Sequence, residues 1–456
     1  MTNTILMTTS RFIAIKPQIR VLDNYYTKLH RTKCVTLPLG LLLIGILGLS
    51  CLSVTISKEQ QTAIAQSYIP TIKYRNLVID LGNGVKTHAQ LTYPAVGKGP
   101  FPGVLLIHGS GALDKNETSG PVHKNGPKPA TNQWQIAQYL SERGFAVLRY
   151  DKRGVGGNNT ISSNVWGNAT VNDLIHDAEK ALNVLIQQPE ADPKRISIIG
   201  HSEGTIIAPR VAIDNSTKVK NIILMGTVAQ NLGDVVFHQT VPLPLEYATQ
   251  VLDRNHTGFI SIQQIAKDPV ILLNLPVPQF HPNTKSITNT LVREFGTKDS
   301  ISIDKQLKPL LRKTYENLTA LNLSKCNNIG GCPVWFRSQL SLIPTLSIIG
   351  NVSKSTGILL LNGENDSQTP VQQAFLLQQR LTNVNHPDHT LITYPNLGHS
   401  FYPSSQWSTR PGPIEPYVLA NIYAWLEAHS GLSHPYVGTP TSTLVANTSS
   451  SSFSHH

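Results

Sequence analysis

The chain has 456 residues, of which 40% are hydrophobic and 14% are charged. This length allows one large folded core with additional segments, and the hydrophobic content excludes a chain that is disordered throughout. The formal net charge is +11. Six basic residues against one aspartate place +5 of it within residues 1–33, and no later stretch interleaves Arg or Lys with aromatic residues. The charge therefore does not indicate nucleic-acid binding.

An uncharged apolar segment follows the basic head. Residues 34–57 contain no Asp, Glu, Lys or Arg, and as a helix they are long enough to cross a hydrocarbon core of about 30 Å. The basic residues before this segment predict a cytoplasmic tail at 1–33, a transmembrane signal anchor at 34–57 and a polar linker at 58–70. Two alternatives remain open, namely a signal peptide cleaved near Ala65, which would release a secreted protein, and a lipoprotein acylated on Cys51.

Cysteine usage agrees with export. Beyond the apolar segment only Cys326 and Cys332 remain, and we predict a disulfide between them, because two thiols are too few to hold a metal. Glycosylation sequons are typical of a surface glycoprotein. They include Asn116, Asn158, Asn168, Asn215, Asn255, Asn317, Asn322, Asn351 and Asn447.

Strand and helix patterns alternate over residues 71–231. Two strands of alternating polarity around residues 82–84 predict an opening hairpin. Short apolar runs predict strands buried on both faces, and helical periodicity separates them. These runs lie at 102–108, 145–150, 196–199 and 221–225. The alternation predicts a mostly parallel central sheet flanked by helices, with right-handed crossovers.

The alternation stops at residue 232. Residues 232–345 are rich in Pro, Gln, Asn and Thr, and we predict that they form a cap inserted into the core. The second part of the core is predicted at 346–430, with strands at 358–361 and 390–394. The Ser-rich segment at 431–456 is predicted to be a disordered tail.

The segment Gly200-His201-Ser202-Glu203-Gly204 lies between a predicted strand and a predicted helix. This is the context of a G-x-S-x-G elbow, in which the glycines permit a sharp turn that exposes the serine hydroxyl at the carboxyl edge of a sheet. We predict Ser202 as a nucleophile, with Gly200 and Gly204 as the elbow glycines. His201 is expected to pack under the elbow. An ordinary turn with a capping serine is the alternative.

A serine nucleophile needs a base, and the base needs an orienting acid. Asp366 follows the strand that ends near residue 361, and His399 follows the strand that ends at residue 394. Both positions lie at the sheet edge expected for Ser202. We therefore predict a triad of Ser202, Asp366 and His399, with Glu364 as the alternative acid.

Acyl transfer also needs donors for the developing oxyanion. We assign this role to the backbone N–H groups of Ser110, just after the first buried strand, and Glu203, just after the nucleophile. The Glu203 side chain has two interpretations, a salt bridge within the pocket wall or a site for a substrate amine. The charges of residues 151–153 are expected to brace loops.

Together, the segments HGSG, YDKRGVGG, GHSEG, GENDSQTP and NLGHSF resemble the α/β-hydrolase superfamily. The resemblance is to its esterase and serine-aminopeptidase-like branch, related to the catalytic domains of prolyl oligopeptidases, and it covers residues 71–231 and 346–430. It implies ester hydrolysis, or peptide hydrolysis with the same triad, without a metal or cofactor. The cap matches no family pattern, and we expect it to select the substrate.

We therefore expect a membrane-anchored serine hydrolase, acting outside the cytoplasm, that cleaves carboxylic esters through an acyl-enzyme. A serine peptidase of the aminopeptidase or acylaminoacyl-peptidase kind is one alternative. A non-catalytic surface binding protein on a hydrolase scaffold is another. The expected partners are a small ester or peptide substrate and the membrane, with no nucleic acid.

Overall fold

A computed structural model describes residues 71–119, 129–156, 160–272, 275, 284–319 and 332–432. The predicted tail, membrane segment and linker at 1–70 lie outside these ranges, as do Cys326 and residues 433–456 of the predicted C-terminal tail. Within the described ranges, no helix is long and apolar enough to cross a membrane.

The strands contain the apolar runs of the sequence. In chain order they are β1 (Ile72–Gly82), β2 (Val85–Pro94), β3 (Phe101–Ile107), β4 (Thr118–Ser119), β5 (Ala130–Thr131), β6 (Ala146–Tyr150), β7 (Ala191–His201), β8 (Val219–Met225), β9 (Phe259–Ser261), β10 (Ser300–Ser302), β11 (Gly357–Gly363) and β12 (His389–Tyr394).

The α-helices fall between these strands and after them. They are α1 (Asn132–Ser141), α2 (Ser163–Trp166), α3 (Val171–Ile186), α4 (Gly204–Asp214), α5 (Leu232–Thr240), α6 (Pro242–Tyr247), α7 (Ile262–Lys267), α8 (Pro269–Leu272), α9 (Thr284–Phe295), α10 (Lys308–Thr319), α11 (Pro333–Ser341), α12 (Thr345–Ile348), α13 (Gln372–Asn383) and α14 (Pro416–His429). Two π-helical turns, Ala248–Leu252 and Ile303–Leu307, and one 3₁₀ turn, Ile349–Asn351, adjoin them.

Eight strands form one sheet in the order β1-β2-β6-β3-β7-β8-β11-β12. The β1–β2 hairpin and the β2–β6 pair are antiparallel, and every following pair is parallel. The predicted opening hairpin and the mostly parallel sheet are confirmed. Because parallel strands all end at the same edge, the loops after β3, β7, β8, β11 and β12 meet there.

Helices cover both faces of the sheet, as the uninterrupted apolar strands require. Alternate residues of β3 enter different cores: Leu105 and Ile107 pack with α3, α4 and α13, whereas Val104 and Leu106 pack with α1 and α14. The start of α3 is fixed by a capping box in which Thr170 and Asp173 satisfy each other's backbone N–H groups.

The described residues between β8 and β11 form helices α5 to α12 and the two-stranded β9–β10 ladder. These helices bury an apolar cluster of their own, separate from the two clusters of the sheet. Cys332, at the start of α11, is disulfide-bonded, and its partner lies outside the described residues.

Candidate active site

Ser202 lies in the turn between β7 and α4. Its φ is +53°, in the left-handed region that serine seldom adopts. A Cβ at Gly200 would lie 2.2 Å from the Gly204 carbonyl oxygen, and one at Gly204 would lie 2.4 Å from that of Ile107. Neither oxygen can retreat without disrupting a helix or a strand. Glycine is therefore required on both sides of Ser202, and the turn has the geometry of a nucleophile elbow.

Asp366 and His399 meet beyond the ends of β11 and β12, and both side chains are buried. His399 Nδ1 lies 2.8 Å from Asp366 Oδ2. The carboxylate also accepts from the Gln368 and Thr369 N–H groups at 2.9 and 2.8 Å and from the Thr369 hydroxyl at 2.8 Å. With its oxygens acting as acceptors, the shared hydrogen is on Nδ1. The other nitrogen, Nε2, is then free to take a proton.

The position of the His399 imidazole depends on a glycine that no sequence motif indicates. Gly226 follows β8 and has a φ of +62°. A Cβ there would lie 3.1 Å from both Cε1 and Nδ1 of His399. A side chain at this position would press on the ring, so Gly226 provides the space in which the imidazole lies.

Glu364, the alternative acid, is not part of this cluster. It is exposed, and its Oε1 accepts a hydrogen bond from the Thr393 hydroxyl at 2.9 Å. The geometry therefore favours Asp366 as the partner of His399.

Ser110 and Glu203, whose N–H groups are assigned to the oxyanion, line the same cavity as Ser202. Within the described part of the chain, neither the Ser110 nor the Glu203 N–H has an acceptor. The neighbouring Gly109 N–H, in contrast, donates to Glu117 Oε1 at 2.7 Å. Ser110 and Glu203 therefore remain as the donors available to a negative oxygen.

A cavity of about 600 Å³ lies over Ser202. The core contributes polar loops, including Ser202 and His399, whereas cap helices α5, α10 and α11 contribute mainly apolar side chains. These include Leu232, Val235, Leu318, Trp335 and Phe336. A volume of this size suits a small organic molecule, and the cap forms much of the wall that would contact it.

The Glu203 side chain is fully occupied. Its Oε2 accepts from Lys152 Nζ at 2.6 Å, and its Oε1 accepts from Trp335 Nε1 and Gln339 Nε2, each at 2.5 Å. Lys152 also donates to the Gly109 carbonyl oxygen. These contacts leave the carboxylate no open position for a substrate amine. They support the salt-bridge interpretation and join cap helix α11 to the loop that carries the nucleophile.

Glu203→Gln is expected to lower the free energy of unfolding by about 3 kcal/mol, because it leaves the buried Lys152 ammonium without a counter-charge. Urea denaturation measures the loss. The double variant Glu203→Gln/Lys152→Met removes both charges and should recover part of the lost stability. A single variant as stable as the parent protein would show that the ion pair does not hold this loop.

Glu117 and His201 form a second pair, which sequence reasoning missed, with Glu117 buried and His201 partly buried. His201 Nδ1 lies 2.8 Å from Glu117 Oε1, and Nε2 lies 3.1 Å from the carbonyl oxygen of His399. Both partners are acceptors, so both ring nitrogens carry hydrogen and the ring is an imidazolium. His201 thus lines the cavity and joins two loops instead of packing under the elbow. Its ring centroid is 4.8 Å from that of His399.

The electrostatics of the pair agree with this protonation state. Burial alone would lower the pKa of His201, but the charge and hydrogen bond of Glu117 outweigh burial and raise it. Burial likewise opposes ionisation of Glu117, and His201 reverses the effect, so the pKa of Glu117 is lowered. Nearby His108 stays neutral, because burial and then the Lys152 charge lower its pKa to about 4.

Glu117→Gln is expected to move the alkaline fall in kcat/KM to lower pH by about one unit. Below the raised pKa of His201 the ring is an imidazolium that donates from both nitrogens, and as pH rises through that pKa the ring loses its charge and one of these two hydrogen bonds. In the Glu117→Gln variant, burial lowers the pKa of His201, so the ring loses its charge at a lower pH. Ester turnover measured across the alkaline range tests this, with Glu364→Gln as the exposed-carboxylate control. An unchanged alkaline limb in Glu117→Gln would contradict the role of the pair.

The strand order, the elbow at Ser202 and the side chains gathered at the carboxyl edge define an α/β hydrolase. The chain is similar to the branch of this superfamily that contains esterases and serine peptidases. The sequence pattern described as "Serine aminopeptidase, S33" matches residues 130–269, which include Ser202. The pattern described as "Prolyl oligopeptidase family" matches residues 330–433, which include Asp366 and His399.

Curated relatives include two esterases. Esterase EstD of Thermotoga maritima is 32% identical over 154 residues, covering 33% of this chain and 32% of the esterase. Esterase FrsA of Yersinia pestis is 23% identical over 182 residues, covering 39% of each chain. The chain thus spans 32% to 39% of the length of these relatives. A similar solved structure is the α/β hydrolase GrgF from Penicillium sp. sh18, with 14% identity, a TM-score of 0.44, and coverage of 78% of this chain and 99% of that one.

Proposed function

We propose that the protein hydrolyses carboxylic esters by acyl transfer through Ser202. The observation that carries this proposal is the convergence of three features at one sheet edge. Ser202 is held at positive φ, and His399 Nδ1 lies 2.8 Å from Asp366 Oδ2. Ser202 and His399 line the same cavity. In this arrangement His399 is the general base and Asp366 orients it.

In the first half-reaction, Ser202 Oγ attacks the ester carbonyl carbon while His399 Nε2 takes the hydroxyl proton. The carbonyl oxygen becomes an oxyanion, which the Ser110 and Glu203 N–H groups bind. Collapse breaks the bond to the alkoxy oxygen, and His399 returns the proton to the departing alcohol. In the second half-reaction, water attacks the acyl-enzyme, His399 takes its proton, and Ser202 Oγ leaves with that proton as the acid is released.

Two observations favour an ester over a peptide. The curated relatives are named as esterases, and the Glu203 carboxylate beside the nucleophile has no free position for an amino group. Peptide hydrolysis is the second candidate, since the two matching family patterns are those of peptidases and the same three side chains would serve.

We expect p-nitrophenyl esters of short and medium acyl chains to be hydrolysed with a kcat/KM at least about 10²-fold above that of amino-acid p-nitroanilides. The apolar cap wall accepts the acyl chain, whereas the Glu203 carboxylate next to Ser202 is already bonded to Lys152, Trp335 and Gln339. Parallel assays with Ser202→Ala as the blank measure the ratio. Faster cleavage of the anilides would replace the esterase proposal with the peptidase one.

We further propose that this domain acts outside the cytoplasm, anchored by residues 34–57. The uncharged run behind a basic head supports the anchor, and the disulfide at Cys332 suits an oxidising compartment. Protease treatment of intact cells that express the full chain tests the side of the membrane. N-terminal sequencing of the released or membrane-bound product distinguishes the anchor from a cleaved signal peptide.

A further inference from the structure

The cap contains a helix–loop–helix unit that ester hydrolysis does not use. Helix α6 and the π-helical turn Ala248–Leu252 precede a loop, and β9 and α7 follow this loop. Residues 253–264 read D-R-N-H-T-G-F-I-S-I-Q-Q. This has the spacing of a calcium-binding EF-hand loop, with oxygen-bearing side chains at positions 1, 3, 5, 9 and 12 and glycine at position 6.

The backbone of the loop wraps around Asp253, the residue at position 1. Asp253 Oδ1 accepts from the Thr257 N–H and hydroxyl, each at 2.9 Å, and Oδ2 accepts from the Gly258 N–H at 2.6 Å. His256 and Gly258 have φ values of +53° and +78°. Asp253 is 4% exposed, although the residues around it in the loop are exposed to solvent. The loop thus encloses the side chain that supplies the first ligand of an EF-hand.

A second helix–loop–helix unit, formed by α9, β10 and α10, pairs with the first. Strands β9 and β10 are antiparallel, with Ile260 opposite Ile301. Ile262 N–H donates to the Asp299 carbonyl oxygen, and Ile303 N–H donates to that of Gly258, both at 2.9 Å. These two bonds relate the loops by an approximate twofold axis. The four flanking segments bury one shared apolar cluster, as expected for two EF-hand-like units packed together.

A polar cavity lies against the first loop, and residues at positions 1, 3, 5, 7 and 12 line it. They are Asp253, Asn255, Thr257, Phe259 and Gln264. Asp268 and Arg254 also line it, so the carboxylates outnumber the cations there. Among the described residues no group of three or more His, Cys, Asp or Glu side chains could hold a metal ion, so an ion bound here would depend on amide, hydroxyl and carbonyl oxygens. Amide, hydroxyl and carbonyl oxygens with a carboxylate are the donors that Ca²⁺ accepts.

We propose that residues 253–264 bind Ca²⁺. The ligands are side-chain oxygens of Asp253, Asn255, Thr257 and Gln264 together with the carbonyl oxygen of Phe259. Only one of these groups is a carboxylate, and glutamine replaces the bidentate glutamate at position 12, so the binding is weak, with a Kd of about 1 mM. Such an affinity matches the calcium concentrations outside cells. This proposal does not rest on the esterase proposal.

The Gln264 side chain must change its conformation to coordinate the ion. Its Oε1 now accepts from the Ser261 N–H at 2.9 Å, in the capping box at the start of α7, and its Nε2 donates to the Leu252 carbonyl oxygen at 3.0 Å. The second loop has a counterpart of this contact, since Gln306 Oε1 accepts from the Ser302 N–H at 2.9 Å. The register of β9 and β10 aligns Glu294 with Asp253 and Lys305 with Gln264, so this loop has a lysine where an EF-hand has its last ligand. Gln306 makes the corresponding contact to Ser302 from the next position and therefore provides a control.

Calcium binding would act on the cap as a whole. Helix α10 continues the second unit, with Leu311 in the shared apolar cluster and Thr314 and Leu318 at the wall of the cavity over Ser202. An ion that stabilises the first loop stabilises the ladder to the second loop and the cluster beneath both. We therefore expect millimolar Ca²⁺ to raise the Tm of the full chain.

Terbium luminescence tests the site directly. Tyr247 lines the polar cavity, and its ring centroid is 5.6 Å from that of Trp407, so exciting these rings sensitises bound Tb³⁺. Titration of the full chain with Tb³⁺ alone should give saturable emission that Ca²⁺ displaces and that Asp253→Asn loses. Gln264→Glu restores the missing carboxylate and should tighten Tb³⁺ and Ca²⁺ binding by about tenfold or more. The same substitution at Gln306 should leave both affinities unchanged.

The absence of saturable emission from the wild-type chain would overturn the proposal. So would a Gln264→Glu variant that binds Ca²⁺ no more tightly than Gln306→Glu. A gain of affinity at one glutamine and not at the other cannot arise from misfolding. The result is also independent of ester turnover, so loss of this site and failure of the esterase proposal are distinguishable.

Discussion

Ser202→Ala is expected to lower kcat for p-nitrophenyl esters by about 10⁶-fold, with little change in KM. The substitution removes the oxygen that attacks the carbonyl but leaves the cavity walls and the Ser110 and Glu203 N–H groups in place. Alanine suits this test because it carries a Cβ at the same φ of +53° as serine and leaves the strain of the turn unchanged. Steady-state kinetics against the parent protein measure the effect.

The matched control is Ser400→Ala. Ser400 lines the same cavity and follows His399 directly, but it does not lie at the elbow. Its variant should retain ester turnover within a few-fold of the parent. Comparable losses in the two serine variants would mean that cavity polarity, and not attack by Ser202, controls the rate.

Asp366→Asn is expected to lower kcat by about 10⁴-fold while the protein remains folded. Asparagine keeps the shape of the side chain and one oxygen for the Gln368 and Thr369 N–H groups. Its amide, however, can present N–H to His399 Nδ1. That nitrogen must then accept, so the hydrogen moves to Nε2, where it blocks the removal of the Ser202 proton.

Glu364→Gln provides the control for the acid. Glu364 lies two residues from Asp366 but bonds to Thr393 at the surface. Its variant should match the parent in kcat and in the pH dependence of kcat/KM. A larger loss in Glu364→Gln than in Asp366→Asn would reverse the assignment of the acid.

The parts of the site that the sequence predicts are those with a local signal. Ser202, Asp366 and His399 each follow an apolar strand directly, so strand periodicity alone places them at one edge of a parallel sheet. Helix α3 is likewise set by local signals, since Thr170 and Asp173 form a capping box before its apolar face. Short-range patterns therefore predict the sheet and the residues at its edge.

Glu117 and His201 show what such patterns miss. They lie 84 positions apart in the chain, and only the fold brings the carboxylate to the ring and to the Gly109 N–H. A weak signal was present, because a charged residue follows the strand–loop that carries Ser110. Gly226 is similar, since its need for glycine comes from a ring contributed by a loop more than 170 residues later. Contacts of this kind have no periodicity to detect.

The internal structure of the predicted cap escaped prediction for a different reason. Its composition of Pro, Gln, Asn and Thr suggests irregular structure, yet the described residues between 232 and 345 form several short helices around a common apolar cluster. Short helices give few periodic repeats, so their apolar face is hard to see in sequence. The Asp-x-Asn-x-Thr-Gly spacing at 253–258 is visible without a structure, but glutamine at position 12 conceals its relation to an EF-hand loop.

Labelling of the purified full chain with a fluorophosphonate probe, followed by peptide mapping, tests the role of Ser202 most directly. A serine activated by His399 attacks the phosphorus and retains the phosphonyl group, whereas ordinary hydroxyls do not react. We predict a single labelled residue, Ser202, and no label on the Ser202→Ala variant. A folded protein in which Ser202 stays unlabelled, or in which another residue carries the probe, would contradict the assignment of Ser202 as the nucleophile.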